Sequence, residues 1–570
     1  MTTNARFSHL TVVWTAGLMI LALAACRPAV APKRARGAKG SDNTVALHGR
    51  ILAANGAAPK RADAHVVIPG AKMTSTETAK DGSFTIDVPI GSAFHLRVSA
   101  VDHVEADLPV ILTNKAPISV TVRLAQDPFV RDAKEVKIAP DTGEGFSLKN
   151  AVSMRPEADG TFVWEENTNA KTVRYELLGT SSNDRSVNGT QSDAFEYDGD
   201  GDYESVVHVK GGHVRIVYDP AKLPPPAEGD LPVITWDADH ADLQEMFHLQ
   251  NAMNAARTRL MTGVQAYVKA HGSTKGYAFD TKSLARSLQA DMGPDHDPEV
   301  RAFAGVLLAE TALRLGHKLD AADAEKILDA APPSSALWAF APQSTTAAAD
   351  AFGKKQKTTE ILGRFVKQNP SRLVQAFSLA SLGYQASKAH DLEKQRAVYT
   401  RLKKDYDDIK MMRYLLAELN PDKAIQAGKP VPPFKVVLLD GKTFTNEDLL
   451  GHYTLLDFWA TWCGPCKAEM PNLDAAWKKF HRRNFQIVSF SFDQSADAVA
   501  KFRKGQWKMP WRHAFVKDGF RSELAKTFEV RGIPEPILVG PDGRIIAVEP
   551  QTRGKQLIAT ISQAMKHTKG

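Results

Sequence analysis

Two of the three cysteines in this 570-residue chain, Cys463 and Cys466, are separated by only two residues in the stretch DFWATWCGPCKAEMP. This spacing suits half of a zinc site, a redox-active dithiol, or chance. A structural zinc site commonly needs four ligands, and the sequence contains no second C-x-x-C pair and no H-x-x-x-H pair to complete one. The pair is therefore predicted to be a redox dithiol that opens and closes a disulfide, with no metal and no separate cofactor.

The stretches on either side of the pair predict how it is positioned. The apolar run YTLLDFWA predicts a buried strand just before the cysteines, and KAEMPNLDAAWKKF predicts a helix just after them. Unpaired N–H groups and the positive end of the helix dipole would stabilise a thiolate there. We expect Cys463 to be exposed and to act as the nucleophile, and Cys466 to stay shielded until it resolves a mixed disulfide. Gly464 and Pro465 form the turn between them, and Pro465 stiffens it.

These motifs resemble a known family. WCGPCK is the thioredoxin active-site motif, and residues 430–570 resemble the TlpA/ResA-type thioredoxin-like oxidoreductases. The resemblance is carried by PPFKVVLLDGKTF, LLDFWATWCGPCKAEMP, FQIVSFSFD, FEVRGIPEPILVGPDGRII and the closing helix KQLIATISQAM, which occur in the family's order. It implies a C-terminal α/β thioredoxin-like fold and a thiol-disulfide oxidoreductase with a redox-active Cys463–Cys466 disulfide.

The resemblance also implies roles for residues around the pair. Asp457 stands where thioredoxin has a buried carboxylate that assists proton transfer at the resolving cysteine, and burial in an apolar site raises the pKa of such a group. Glu469 is the acidic residue of the family's CxxCxxE pattern, where it tunes the thiols. A first-turn glutamate favoured by the helix dipole is the alternative. Trp462 would flank the thiols, whereas Trp459 would be structural.

A second loop of the predicted site is the stretch GIPEP. It places Pro534 at the family's cis-proline, where the backbone of Ile533 would contact a substrate chain through strand-like hydrogen bonds. The family commonly has Thr and another polar residue after this proline, whereas this chain has Glu535 and Pro536. We expect this departure to alter substrate preference, and the second proline removes a backbone donor.

The chain as a whole is long enough for several domains. A length of 570 residues predicts three or four of them, and 43% hydrophobic and 24% charged residues are ordinary for globular proteins. The net charge of +7 is small for this length, and no long basic stripe is interleaved with aromatic residues. Nucleic acid is therefore not expected as a partner.

The N-terminus has the pattern of a targeting segment. Arg6 is followed by an apolar run over residues 10–22, too short for a comfortable membrane span, and then by LAAC ending at Cys26. This resembles the bacterial lipobox, which implies a signal peptide over 1–25 and lipid attachment to Cys26. An ordinary secretory signal and an uncleaved anchor are the alternatives. The next residues, 26–44, have little to bury and are predicted to form a tether.

A lipid anchor would place the protein on a membrane of the bacterial cell envelope, facing the periplasm. Several acyl chains together give stable anchoring. Arg27 favours the outer membrane under the enterobacterial sorting rule, but the choice between outer and inner membrane stays open. Lipidation also accounts for the odd cysteine, which would otherwise be a stray thiol in an oxidising compartment.

Two β-rich regions follow the tether. Residues 45–125 show short alternating apolar runs cut by turns, which predict a β-sandwich, and DGSFTIDVPIG and HLRVSAVDH resemble carboxypeptidase regulatory-like modules. Residues 128–225 predict a second sandwich, with a carbohydrate-binding module as one alternative. There Asp198, Asp200 and Asp202 alternate in EYDGDGDYES and could supply oxygen ligands to Ca²⁺, but the EF-hand pattern is not met. A solvated turn is the other interpretation.

A proline-rich stretch, AKLPPPAEGDLP, predicts a domain boundary near residue 228. Apolar residues then recur at helical spacing over 239–425, which predicts an α-helical region. Its last part resembles a degenerate tetratricopeptide (TPR) pair. The region is either a spacer or a docking surface for a partner protein.

Together these patterns predict a membrane-anchored extracytoplasmic oxidoreductase that reduces protein disulfides and is itself reduced by a membrane or periplasmic electron donor. A Gly-Pro pair between the cysteines goes with potentials of about −270 mV, well below the value of about −120 mV for a dedicated oxidant. One rival is a scaffold or binding lipoprotein whose dithiol is a redox sensor. Another is a peroxidase-like redoxin, although the C-x-x-C pair counts against it.

Overall fold

The described part of the chain forms two compact units that are divided between Leu419 and Asn420. The computed structural model describes residues 44–116, 118–143, 148, 151–181, 187–199, 201–223, 232–272, 274 and 276–567. The predicted signal peptide and residues 26–43 of the predicted tether, including Cys26, lie outside these residues, as do Asp200 and residues 224–231 of the proline-rich stretch. Within the described ranges, no helix combines the length and apolarity that a membrane crossing requires.

The first β-rich region consists of two four-stranded sheets. Seven of its eight strands are β1 (Thr44–Ala53), β2 (Ala62–Val67), β3 (Thr74–Glu77), β4 (Ser83–Pro89), β5 (Ala93–Ala100), β6 (Ala106–Ile111) and β7 (Ile118–Leu124). One sheet has the order β3-β2-β5-β6, and the other contains β7, β1 and β4. Apolar residues at alternate positions, as in the burial pattern of β7, place side chains from both sheets in one hydrophobic cluster.

The second β-rich region has its own hydrophobic cluster. Its strands are β8 (Lys137–Asp141), β9 (Val152–Ser153), β10 (Arg155–Pro156), β11 (Phe162–Asn167), β12 (Thr172–Leu178), β13 (Ala194–Tyr197), β14 (Tyr203–His208) and β15 (His213–Tyr218). They form sheets of order β10-β11-β15 and β13-β14-β12-β8-β9. The β-rich character of both regions is confirmed, and their assignment as sandwiches stays a prediction.

Two of the candidate Ca²⁺ ligands, Asp198 and Asp202, lie between β13 and β14. The backbone N–H of Asp202 donates to Asp198 Oδ1 at 3.1 Å, which closes this turn within the chain. Asp200 is outside the described residues. Among the residues that the structure describes, no group of three or more His, Cys, Asp or Glu side chains could hold a metal ion.

A further strand joins the first region from beyond the second one. β16 (Val233–Trp236) pairs antiparallel with β7 and completes the order β16-β7-β1-β4. The predicted boundaries, 45–125 and 128–225, leave this strand out. The first region is therefore discontinuous in sequence, with the second region inserted between two neighbouring strands of its sheet.

The predicted α-helical region is confirmed as a run of helices. They are α1 (Ala241–His271), α2 (Lys282–Asp291), α3 (Pro298–Arg314), α4 (Ala321–Ala330), α5 (Ser344–Asp350), α6 (Lys355–Gln368), α7 (Arg372–Lys388), α8 (Leu392–Tyr406) and α9 (Met412–Leu419). α1 packs against β6, and the buried residues of the first helices belong to the same hydrophobic cluster as the two four-stranded sheets. These helices are thus continuous with the first β-rich region, while most of the buried apolar residues of α7 to α9 belong to another cluster. The TPR assignment stays a prediction.

The C-terminal unit is built on a mixed five-stranded sheet. The strands of this unit are β17 (Lys435–Val437), β18 (Thr443–Thr445), β19 (Tyr453–Trp459), β20 (Phe485–Ser491), β21 (Arg512–Phe515), β22 (Glu535–Val539) and β23 (Ile545–Ala547). The helices of the unit are α10 (Gly464–Phe480), α11 (Ala496–Gly505), α12 (Glu523–Thr527) and α13 (Gly554–His567). β17 and β18 pair antiparallel as a two-stranded hairpin. The sheet order is β21-β20-β19-β22-β23, with β19 parallel to β20 and antiparallel to β22. Every residue of β19 is buried, as expected for a central strand covered on both faces.

Candidate active site

The two cysteines lie where β19 gives way to α10, and they are joined in a disulfide with their Cα atoms 5.3 Å apart. Cys463 is the N-cap residue of α10, and Pro465 occupies the first turn, where a missing N–H costs nothing. The backbone N–H of Cys466 points at Cys463 Sγ at 3.1 Å. After reduction, this donor and the helix dipole would stabilise a thiolate on Cys463. The predicted placement of the dithiol at a helix N-terminus is confirmed.

The sulfur atoms are less accessible than the sequence predicts. In this disulfide-bonded state Cys463 is 4% exposed and Cys466 is 1% exposed, so the expectation of an exposed Cys463 is wrong for the oxidised form. The loop formed by the stretch GIPEP, called the proline loop below, covers part of the disulfide. The backbone oxygen of Ile533 in this loop lies 3.6 Å from Cys463 Sγ. By contrast Trp462 is 57% exposed, and Gly464 and Pro465 are exposed beside it. We call these three exposed residues the rim of the site. A partner would meet the rim before it reached the disulfide.

The proline loop has the predicted conformation, because the peptide between Ile533 and Pro534 is cis. The strand that follows it starts at Glu535, and Pro536 lies opposite Asp457 in the pairing of β22 with β19. Pro536 has no N–H to donate at this register. The carbonyl oxygen of Pro536 accepts a hydrogen bond of 2.8 Å from the hydroxyl of Thr552.

Asp457 is buried in the middle strand, at 2% exposure. Burial raises its pKa from 3.8 to about 6, a hydrogen bond from Ser489 opposes the rise, and the charge of Glu469 adds to it. In that hydrogen bond Ser489 Oγ donates to Asp457 Oδ2 at 2.8 Å. The raised pKa agrees with the sequence expectation and makes this carboxyl a competent proton acceptor near neutral pH.

Glu469 lies in the second turn of α10, and the first turn of this helix holds no acidic residue. The alternative of a first-turn glutamate placed for the helix dipole is therefore wrong. Its Oε2 accepts hydrogen bonds from the backbone N–H of Gly554 at 3.0 Å and from Asn472 Nδ2 at 2.9 Å, and its Oε1 lies 3.7 Å from Arg553 Nε. Glu469 thus ties α10 to the start of α13, while its charge reaches Asp457. A direct role in tuning the thiols stays a prediction.

Sequence reasoning missed the residue that holds the loop before the dithiol. Asp493 follows β20 and is buried, and its carboxylate accepts from the backbone N–H of Thr461 at 3.1 Å and from the Thr461 hydroxyl at 2.6 Å. The hydroxyl of Ser491 donates to the same carboxylate at 2.6 Å. An aspartate at the end of the apolar stretch FQIVSFSFD was the available signal. Trp459, predicted to be structural, is fully buried and packs against Phe502.

The relatives of this chain among known proteins include thiol-disulfide oxidoreductases. Residues 427–548 match the AhpC/TSA family. The thiol-disulfide oxidoreductase ResA of Bacillus thuringiensis subsp. konkukian (strain 97-27) is 30% identical over 145 residues, which is 25% of this chain and 80% of the relative. ResA of Bacillus subtilis (strain 168) is 30% identical over 136 residues, 24% of this chain and 74% of the relative.

Solved structures include a similar domain. The crystal structure of the thioredoxin domain of a thiol-disulfide oxidoreductase from Bacteroides vulgatus is 27% identical, and the match covers 24% of this chain and 97% of that one, with a TM-score of 0.23. Each of these matches spans about a quarter of the chain.

Proposed function

This chain belongs, through its C-terminal unit, to the ResA-type thiol-disulfide oxidoreductases, and from that premise we propose that it reduces disulfides of proteins outside the cytoplasm while anchored to a membrane. The observation that carries the proposal is the Cys463–Cys466 pair at the start of α10, with a backbone N–H directed at Cys463 Sγ. The redox-active group is this disulfide itself. The exposed rim at Trp462 supplies apolar surface that a polypeptide substrate could cover.

The proposed reaction transfers two electrons by thiol-disulfide exchange. The Cys463 thiolate attacks one sulfur of the substrate disulfide, which forms a mixed disulfide and releases one substrate thiolate. Cys466 then gives its proton to Asp457, whose pKa of about 6 suits this role, and attacks Cys463 Sγ. The second substrate sulfur leaves as a thiolate, and the Cys463–Cys466 disulfide closes. A dithiol donor in the membrane or periplasm would reopen it for the next turnover.

The direction of electron flow is proposed from the two residues between the cysteines. Gly464 and Pro465 match the thioredoxin-type pair, which goes with a potential of about −270 mV. A redox titration against dithiothreitol or glutathione should give a midpoint in that range. A midpoint close to about −120 mV would instead assign the protein as a disulfide-forming oxidant.

The experiment that tests the reductase is substrate trapping. In a Cys466→Ser variant the mixed disulfide through Cys463 cannot be resolved, so disulfide-linked partners should accumulate and be released by dithiothreitol. Cys463→Ser is the matched control and should trap none. If the protein were a scaffold with a redox-sensing dithiol, partner capture would be the same in both variants, and that result would refute the proposal.

Anchoring is proposed on the lipobox-like sequence that ends at Cys26. Metabolic labelling with a radioactive fatty acid should mark the wild-type protein and not Cys26→Ser, and the variant should move to the soluble envelope fraction. Equal membrane retention of an unlabelled Cys26→Ser protein would point to an uncleaved anchor instead. The N-terminal unit would serve as a spacer, or its helices as a docking surface for a partner protein.

A further inference from the structure

A row of paired residues crosses the sheet of the C-terminal unit at the level of Asp457. Pro536 on β22 pairs with Asp457 on β19, Asp457 pairs with Ser489 on β20, and Ser489 pairs with His513 on β21. Residues directly opposite one another on neighbouring strands place their side chains on the same face of a sheet. These four side chains therefore form one lateral row, and all of them are buried.

A chain of two hydrogen bonds runs along this row. Trp511, just before β21, donates from its Nε1 to Ser489 Oγ at 2.9 Å, and Ser489 Oγ donates to Asp457 Oδ2 at 2.8 Å. The indole of Trp511 is itself held in place by two other rings. Its ring centroid lies 5.9 Å from that of Trp477 on α10 and 6.1 Å from that of His513, on which it stacks. The Asp457 carboxyl is thus linked to β20 through Ser489, and through Ser489 to Trp511 at the start of β21.

The direction of both hydrogen bonds follows from the chemistry of the groups. An indole N–H can only donate, so the oxygen of Ser489 must accept from Trp511. The single proton of the Ser489 hydroxyl is then turned away from Trp511 and toward Asp457. A hydroxyl held as a donor favours the ionised carboxylate over the protonated acid. Trp511 therefore occupies one of the two acceptor sites of the Ser489 oxygen and favours the orientation in which the hydroxyl donates to Asp457.

The charged and titratable groups around Asp457 are few. From α10, the charge of Glu469 raises its pKa. From β21, His513 is neutral because burial and then the charge of Arg503 lower its pKa to about 3, and its Nε2 donates to the backbone oxygen of Met509 at 3.2 Å. Among the described residues no cation contributes to the pKa of Asp457. The Ser489 hydroxyl is the group that opposes burial and Glu469.

We propose that Trp511 and Ser489 are positioning residues: Trp511 orients the Ser489 hydroxyl, which keeps Asp457 able to take the proton of Cys466 and to return it. This inference rests on the dithiol exchange proposed above. Without the hydroxyl, a larger fraction of Asp457 would be protonated at neutral pH, and Cys466 would have no proton acceptor in that fraction. The proton moves from Cys466 Sγ to an Asp457 oxygen when the disulfide closes, and in the opposite direction when it opens.

The test isolates the step in which Cys466 attacks. The full chain carrying Cys26→Ser keeps Cys463 and Cys466 as its two thiols. The reduced protein is mixed with 5,5′-dithiobis(2-nitrobenzoate). Attack by Cys463 releases one coloured thionitrobenzoate and leaves the other on Cys463 as a mixed disulfide, and attack by Cys466 on Cys463 Sγ then releases the second. The rate of this second release is followed by absorbance as a function of pH. Ser489→Ala should move the midpoint of this pH profile upward by about one unit or more, the shift that corresponds to a lost hydrogen bond to a charged group.

Further variants separate positioning from structure. Trp511→Phe keeps an aromatic ring but removes the N–H, and it should move the midpoint in the same direction by a smaller amount. Ser489→Thr retains the hydroxyl and should restore the wild-type midpoint. Ser491→Ala is the matched control, because it also removes a buried hydroxyl from β20. The Ser491 hydroxyl donates to Asp493 and not to Asp457. It should leave the midpoint in place even where it changes stability.

The outcomes distinguish this inference from the proposed function. An unchanged midpoint in Ser489→Ala, or an equal shift in Ser491→Ala, overturns the positioning role. If Ser489→Ala does not fold, an unchanged midpoint in Trp511→Phe has the same meaning. A wild-type protein that releases no second thionitrobenzoate contradicts the dithiol exchange itself. Release with the expected shifts but no trapped proteins supports the positioning role and refutes only the protein-disulfide substrate.

Discussion

Replacement of Asp457 by Asn tests how the chain holds a carboxyl in its core. Burial raises the pKa of Asp457 from 3.8 to about 6, so the folded protein binds a proton more tightly than the unfolded chain does. The stability contributed by this group is therefore complete below pH 3.8 and decreases as the pH rises through the window up to about 6. The shift of about 2 units, at 1.36 kcal/mol for each unit, amounts to a loss of about 3 kcal/mol.

An Asn side chain has the same shape and no charge, so the variant lacks this loss. We expect the free energy of unfolding of Asp457→Asn to gain about 2 kcal/mol on the wild type between about pH 4.5 and pH 7.5. The unpaired amide of Asn lowers the stability of the variant equally at every pH, so the change in the difference with pH is the informative quantity.

The measurement should be made on the disulfide-bonded full chain. Hydrogen exchange of peptides from β19, read by mass spectrometry at several pH values, reports the opening free energy of the strand that carries Asp457. A stability difference that stays constant with pH would refute the raised pKa. A difference that changes in the opposite direction would mean that Asp457 is stabilised as the carboxylate.

Four further substitutions have defined outcomes. Trp462→Ala should reduce kcat/KM for a protein disulfide about tenfold or more, and leave the unfolding free energy within about 0.5 kcal/mol, because this exposed side chain contributes contact area to a partner. Asp493→Ala should cost about 2 to 4 kcal/mol, measured by hydrogen exchange at the start of α10, since it leaves the Thr461 N–H and hydroxyl without their acceptor. Gly49→Ala should lower the thermal midpoint of the N-terminal unit, because its Cβ would lie 2.1 Å from the Phe84 ring, whereas Gly363→Ala in α6, which meets nothing within 4 Å, should raise it slightly.

The parts of the site that were predictable from sequence are local in the chain. The strand, the turn with two cysteines and the helix follow one another within about thirty residues, and each has its own periodicity or turn signal. The placement of Cys463 at the helix start, the burial of Asp457 and the cis peptide before Pro534 could therefore be inferred from short stretches and from the family resemblance they carry.

The parts that were missed depend on which strand or helix lies beside which. The partners of Glu469 at Arg553 and Gly554 are more than eighty residues away, and no local pattern identifies them. The same holds for Asp493, which reaches back to Thr461 from the end of the next strand. The low exposure of Cys463 also depends on a distant loop.

β16 shows the same limit at the scale of a domain. Its four residues, VITW, carry too short a pattern to predict a strand partner, and the partner β7 is more than one hundred residues earlier. The proline-rich stretch before it was interpreted as a boundary between domains. In the structure the chain returns after that stretch to an earlier sheet, since the open edge of β7 offers hydrogen-bond partners that β16 takes up.

The proton affinity of Asp457 is set by opposing effects that come from different elements. Burial in β19 and the charge of Glu469 on α10 raise the pKa, and the Ser489 hydroxyl, oriented by Trp511, lowers it. None of these groups is a cysteine, so the proton-transfer step can be altered while the disulfide and its helix stay unchanged. Removal of the Ser489 hydroxyl should therefore move the midpoint of the thiol-release pH profile upward, and removal of the Glu469 charge should move it downward. A variant that combines both changes should return toward the wild-type midpoint.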